Sequence, residues 1–226
     1  PPRSTLFPYT TLFRSHAYGW EAEAAVQRSR EILAAGINAT SEEIVFTSGA
    51  TEANNLAIKG VAEAYFSRGR HIVTVQTEHS AVLDPCRYLE TLGFEVTYLP
   101  VQPDGLIDLA ELGRSLRADT VLVSVMAANN EIGVLQPLAA IGRRCSHPGI
   151  LFHPDAAQAI GKSELAAQAQ CIARMSVTPH KVYGPQRTAA LYVPLRHPLV
   201  RLAQQLPSRC HARARRSRTV YAPRLF

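Results

Sequence analysis

The feature that most constrains this chain is its rhythm. Five apolar runs, at 43–47 (EIVFT), 71–76 (HIVTVQ), 95–101 (EVTYLPV), 120–126 (TVLVSVM) and 150–155 (ILFHPD), read as strands. Between most of them lie stretches rich in helix formers, at 51–66, 80–93, 108–116 and 137–145, and another precedes them at 20–36. In that first helix Ala24, Ala25, Ile32 and Leu33 fall near one face, and Gly36 closes it. Strands alternating with helices at this spacing predict right-handed βαβ units, hence an α/β fold with a mostly parallel central sheet flanked by helices. The chain has no internal repeat. Such sheets bind ligands beyond the carboxyl ends of their strands, so chemistry is expected there.

The two ends read differently from the body. Residues 1–15 (PPRSTLFPYTTLFRS) hold three prolines, no acid and neither helical nor strand periodicity. They match the translation of a common short-read sequencing adapter, and are set apart from the fold as a tag would be. The formal charge of +6 is also a property of the ends. Of the 24 Lys and Arg, eight lie in 196–226 and two in the leader, leaving 14 against 18 Asp and Glu in 16–195. A body with net charge −4 argues against a nucleic-acid partner, and the arginine-rich tail is the one feature that favours it. No run reaches the roughly 18 apolar residues of a membrane span. The four cysteines, Cys86, Cys145, Cys171 and Cys210, show neither metal-ligand spacing nor CxxC. They read as small buried hydrophobes in a reducing, cytoplasmic compartment.

Five strand ends are polar. FTSGATEANN (46–55) is a small-residue turn entering a helix, where Ala50 and Thr51 offer free N–H groups to a phosphate or simply start the helix. TEHSAVL (77–83) places His79 just past a strand, a position that also suits a structural histidine. ANNEIGVLQP (128–137) presents Asn129 and Asn130, which serve equally as a turn. FHPDAAQAIGK (152–162) ends a hydrophobic strand with Asp155, and Gln158 follows one turn later. A carboxylate in so apolar a setting requires a cationic or N–H partner. In TPHKVYGP (178–185), Lys181 follows His180 after an apolar stretch, and lysines in such sites form Schiff bases. A phosphate cradle, a stacking imidazole, a carboxylate for a ring nitrogen and a Schiff-base lysine together meet the needs of pyridoxal 5'-phosphate (PLP).

Taken in order, these five motifs resemble the cysteine desulfurases, a class V aminotransferase-type family of PLP enzymes, over residues 16–195. The resemblance implies a PLP-binding large domain over 16–226, with the family's small domain missing. It implies that Lys181 holds the cofactor covalently and shuttles protons, that Asp155 pairs with the ring N–H, and that His79 stacks on the ring and exchanges protons. Gln158 and Asn130 would bond near the ring hydroxyl and the substrate. Ala50, Thr51, Thr178 and His180 would hold the phosphate, and Thr219 would reach that of a neighbouring subunit. The implied reaction takes sulfur from L-cysteine as an enzyme persulfide and releases alanine. The sulfur goes to an acceptor protein for iron–sulfur cluster assembly or thiolation, and the implied assembly is a homodimer without membrane or nucleic acid. A selenocysteine lyase, another class V aminotransferase and a non-catalytic fragment are the alternatives. Three departures accompany the resemblance. The family's first segment is replaced by the leader. Ser208, Arg209, Cys210, Ala214 and Arg218 stand where the family has glycine, as accumulated base-calling errors produce. No cysteine occupies the family's catalytic motif, which is expected beyond Phe226.

Overall fold

In a computed structural model the structure describes residues 17–146, 149–181 and 187–195. Helix α1 spans Ala17–Ala35, and a 3-10 turn at Ser41–Glu43 leads into β1, Ile44–Thr47. Then follow α2 (Ala50–Ala64), β2 (His71–Val75), α3 (Ser80–Thr91), β3 (Glu95–Leu99), α4 (Leu109–Ser115) and β4 (Thr120–Ser124). Next come α5 (Leu138–Cys145), β5 (Leu151–His153), β6 (Met175–Val177), a 3-10 turn at Pro179–Lys181 and β7 (Ala189–Tyr192).

Strands β3-β2-β4-β5 form a parallel sheet, and β1-β7-β6 an antiparallel one. A parallel bridge between Asp155 and Ser176 joins them, with Ala156 N donating to Ser176 O at 2.8 Å. Because β7 runs against both β1 and β6, it alone opposes the other six strands. The carboxyl ends of those six therefore share one rim, as the strand–helix rhythm predicts.

The sheet is covered on both faces, which is why its strands read as continuous apolar runs. On one face Val73, Val75, Val123 and Phe152 pack with Leu112 of α4 and Ile141 of α5. On the other, Ile72, Leu122 and Leu151 pack with Ile58 and Val61 of α2 and Val82 and Leu89 of α3. His153 ties the centre together: its ring nitrogens lie 3.0 Å from Ser124 Oγ and 3.0 Å from Ser176 Oγ, bridging β4, β5 and β6.

Two features differ from the sequence reading. Strands β6 and β7 are each only three or four residues long and were not separable from apolar coil. In α1 the expected apolar face is not buried: Ile32 is 68% exposed, while Leu33 and Ala34, near the end of the helix, pack inward. Its anchor is Arg30 instead, whose guanidinium donates to Ile44 O and lies 4.9 Å above the Phe46 ring.

Candidate functional site

The parallel rim collects the candidates. Thr47, at the end of β1, precedes Ala50 and Thr51 in the first turn of α2. That turn is held by Glu52, whose Oε2 accepts Ser48 N at 2.6 Å and the Ser48 hydroxyl. Gly49 precedes the helix without a side-chain cap, so the helix-start N–H groups and their partial positive charge face outward. His79 caps α3, its Nδ1 accepting Ala81 N at 3.0 Å. A neutral ring fixed in this way carries its proton on Nε2.

Asp155 lies between β5 and β6 and is 3% exposed. Its Oδ2 accepts Asn54 Nδ2 at 2.6 Å, and its Oδ1 accepts Ala157 N at 3.0 Å. Burial pushes its carboxyl above the usual range, while Ala157, Asn54 and the nearby His79 pull it back. The fold thus places His79, 76 positions away in the sequence, near enough to influence the Asp155 carboxyl.

The other candidates are less tied down. Asn130 is exposed and Gln158 half-buried. Of the two tandem amides, Asn129 is the structural one: its Nδ2 donates to Thr77 O at 2.9 Å, and its Oδ1 accepts Glu131 N and Ile132 N. It joins the turn after β4 to the loop carrying His79. The Thr178 hydroxyl donates to Thr188 O at 3.1 Å, so its proton is already used and an anion here must meet backbone N–H groups or turn that hydroxyl. Pro179, His180 and Lys181 form the 3-10 turn directly after β6, with Lys181 exposed. Thr219, residues 1–15 and Ser208, Arg209, Cys210, Ala214 and Arg218 lie outside the described residues.

Two buried polar residues beside Asp155 escaped the sequence reading. Asn54 was hidden in the helix-start motif, and Glu78 stood beside the more conspicuous His79. Glu78 is buried and accepts Met126 N through Oε1. An apolar neighbourhood demanding a partner is the signal they shared with Asp155, and it is visible only once the helix and the rim are placed.

Thr51 also lines a neighbouring cleft of about 310 Å³ between α2 and α3, with Ser80, Ala81, Lys59 and Tyr88. Neither Asp155 nor Lys181 lines it. Burial raises the Cys86 and Cys145 thiols to about 12, which makes both poor nucleophiles. Among the described residues there is no cluster of ligands for a metal, and no helix is long and apolar enough to cross a membrane.

The family model for aminotransferase class-V matches residues 10–206, a range that starts within the leader. The chain is 54% identical over 210 residues to the cysteine desulfurase of Homo sapiens, covering 93% of this chain and 46% of that protein. It is 57% identical over 206 residues to the cysteine desulfurase IscS of Neisseria meningitidis serogroup A, covering 91% and 51%. The chain thus spans about half the length of these curated relatives. Among solved structures, SspA in complex with cysteine superposes with a TM-score of 0.79 at 40% identity, covering 83% of this chain and 55% of that one. A NifS-like protein gives 0.80 at 34% identity, covering 91% and 60%. With the strand order, the polar rim and a family match across most of its length in agreement, the chain belongs to the class-V aminotransferase family.

Proposed function

We propose that this chain is the cofactor-binding large domain of a PLP-dependent cysteine desulfurase. The observation that carries the reading is Asp155. It is a buried carboxylate at the rim of a parallel sheet, with two N–H donors and a raised affinity for protons. A buried carboxylate of this kind fits a protonated ring nitrogen, which adds the charge-assisted bond that two neutral donors cannot supply. The residues present therefore suit the cofactor.

When bound, PLP supplies an electron sink for negative charge at the carbon beside an amino group. This chain's residues divide the remaining work. Asp155 keeps the ring nitrogen protonated. Asn54 holds the Asp155 carboxylate in place. Lys181 would hold the aldehyde and, when released from it, would be the amine that takes and returns the proton of the substrate carbon. His79 would stack on the ring and, as a neutral imidazole whose Nδ1 accepts Ala81 N, would offer its Nε2–H as a donor. Ala50, Thr51 and the turn through Thr178 and His180 meet the phosphate, while Asn130 and Gln158 bond to the ring hydroxyl and substrate. L-cysteine as substrate, a homodimer, a sulfur-acceptor protein and a cytoplasmic setting complete the proposal. The identities above 50% to cysteine desulfurases support it.

The test is a titration of the chain with PLP, followed by its visible absorbance. The reading expects a band of lysine-bound cofactor that disappears in Lys181→Ala and changes on addition of L-cysteine. A folded chain whose band persists in Lys181→Ala contradicts the site.

A further inference from the structure

Among the described residues, two buried side-chain polar atoms have no hydrogen-bond partner: Asn54 Oδ1 and Glu78 Oε2. Leaving a buried polar atom unpaired costs about 1–3 kcal/mol, so two in one neighbourhood call for a common explanation. Both belong to residues held beside Asp155. Asn54 donates to its carboxylate at 2.6 Å, and Glu78 accepts Met126 N, next to Ala127, whose N–H donates to Asp155 O at 2.8 Å.

The chemistry of the pair is complementary. Asn54 spends its amide N–H on Asp155, so its oxygen needs a donor. Glu78 spends Oε1 on Met126 N, so its Oε2 is free either to accept or, when protonated, to donate. An ionised Glu78 would leave both atoms unsatisfied and would set a second negative charge beside Asp155. A protonated Glu78 satisfies both. We propose that Glu78 is a positioning residue, a neutral carboxylic acid whose Oε2–H donates to Asn54 Oδ1 directly or through one water. It thereby locks the Asn54 amide with its N–H2 toward Asp155.

The lock has a consequence for the site. An Asn amide can flip, and the flipped form would set its oxygen against the Asp155 carboxylate. A donor fixed on Oδ1 opposes that flip. Two buried acids are then driven to different protonation states, Glu78 neutral and Asp155 available to carry the charge, a division that active sites use to assign roles to neighbouring carboxyls. Burial and the proximity of Asp155 hold the Glu78 carboxyl well above its ordinary range, opposed by the Met126 N–H.

The inference rests on reading Asp155 as the partner of the cofactor's ring, but its primary test needs no cofactor, so the two fail separately. Infrared spectra of the full chain without added PLP, at neutral pH, are compared with carboxyl-13C glutamate or carboxyl-13C aspartate incorporated. The expected result is a protonated-acid carbonyl band that shifts with the glutamate label and is lost in Glu78→Gln. The other buried glutamate, Glu43, accepts from Thr40 N and Thr40 Oγ1, and the difference between wild type and Glu78→Gln isolates the Glu78 band from it. Absence of the band, or a band that follows only the aspartate label, overturns the proposal. The second readout is PLP affinity. Glu78→Leu, which cannot donate, weakens it about tenfold, and Glu78→Gln, which accepts and donates like the neutral acid, restores most of the loss. Equal loss in both variants also overturns it. Should Glu78→Leu fail to fold, the infrared comparison decides alone.

Discussion

Asn54 and Asp155, 101 positions apart in the chain, meet through a 2.6 Å hydrogen bond from Asn54 Nδ2 to Asp155 Oδ2. The bond joins the first helix after the sheet's edge strand to the centre of the sheet, and both residues are buried. Asn54→Ala leaves the Asp155 carboxylate with the Ala157 N–H as its donor, and is expected to destabilise the chain by about 1–3 kcal/mol. Urea unfolding monitored by circular dichroism measures this. A change below a few tenths of a kcal/mol would mean that the bond carries no weight.

Asp155→Asn keeps the shape but removes the charge. If the carboxylate meets a protonated ring nitrogen, PLP affinity falls by about 2–5 kcal/mol, the cost of truncating one member of a buried charged pair. In the cofactor-free chain the same change removes a charge that burial disfavours but sets an amide N–H2 against one of the two N–H donors, Asn54 Nδ2 or Ala157 N, so stability is expected to change less than PLP affinity does. Equilibrium absorbance titration and urea unfolding give the two numbers from one preparation.

His153 sets a dependence on acid. Burial, with Arg174 nearby, lowers its pKa from 6.5 to about 3. The unfolded chain therefore binds a proton that the folded one refuses as pH falls below 6.5. This contribution to stability is complete above pH 6.5 and is lost toward pH 3, at about 1.4 kcal/mol per pH unit. Glu78 and Asp155, both raised by burial, slope the opposite way, so the contrast between wild type and His153→Asn is the informative quantity. The stability advantage of wild type is expected to shrink as pH falls below 6.5. A pH-independent difference would contradict a neutral His153.

Gly142, inside α5, reverses a common rule. Alanine normally stabilises a helix interior by about 1 kcal/mol over glycine. Here an added Cβ would lie 1.9 Å from Gln170 O, a backbone atom that cannot swing aside. Gly142→Ala is therefore expected to destabilise by about 1–3 kcal/mol. Thermal unfolding checks the sign, and a raised Tm would contradict the packing of α5 against the loop before β6.

The parallel sheet was legible because its strands are buried on both faces and stand out as apolar runs ending in polar residues. Strands β6 and β7 were not, since Met175–Val177 and Ala189–Tyr192 are too short for any periodicity and gain their identity only by pairing. The α1 helix was recognisable from its composition, but its burial was not, because contact with β1 runs through Arg30 rather than through Ala24, Ala25 or Ile32. At the site, Asp155 announced itself as an acid at the end of an apolar strand. Asn54 and Glu78 did not, as their partners lie 101 and 48 positions away and no local pattern encodes such contacts. Asn129, rather than Asn130, ties the loops together because its amide reaches Thr77 across the rim.

The most direct test of the account is to supply PLP to the folded chain, reduce it with borohydride and map the modified peptide by mass spectrometry. The account predicts a pyridoxyl group on Lys181, abolished in Lys181→Ala and diminished in Asp155→Asn. Modification of Lys59 or Lys162, the chain's other two lysines, with Lys181 unmarked, would contradict it.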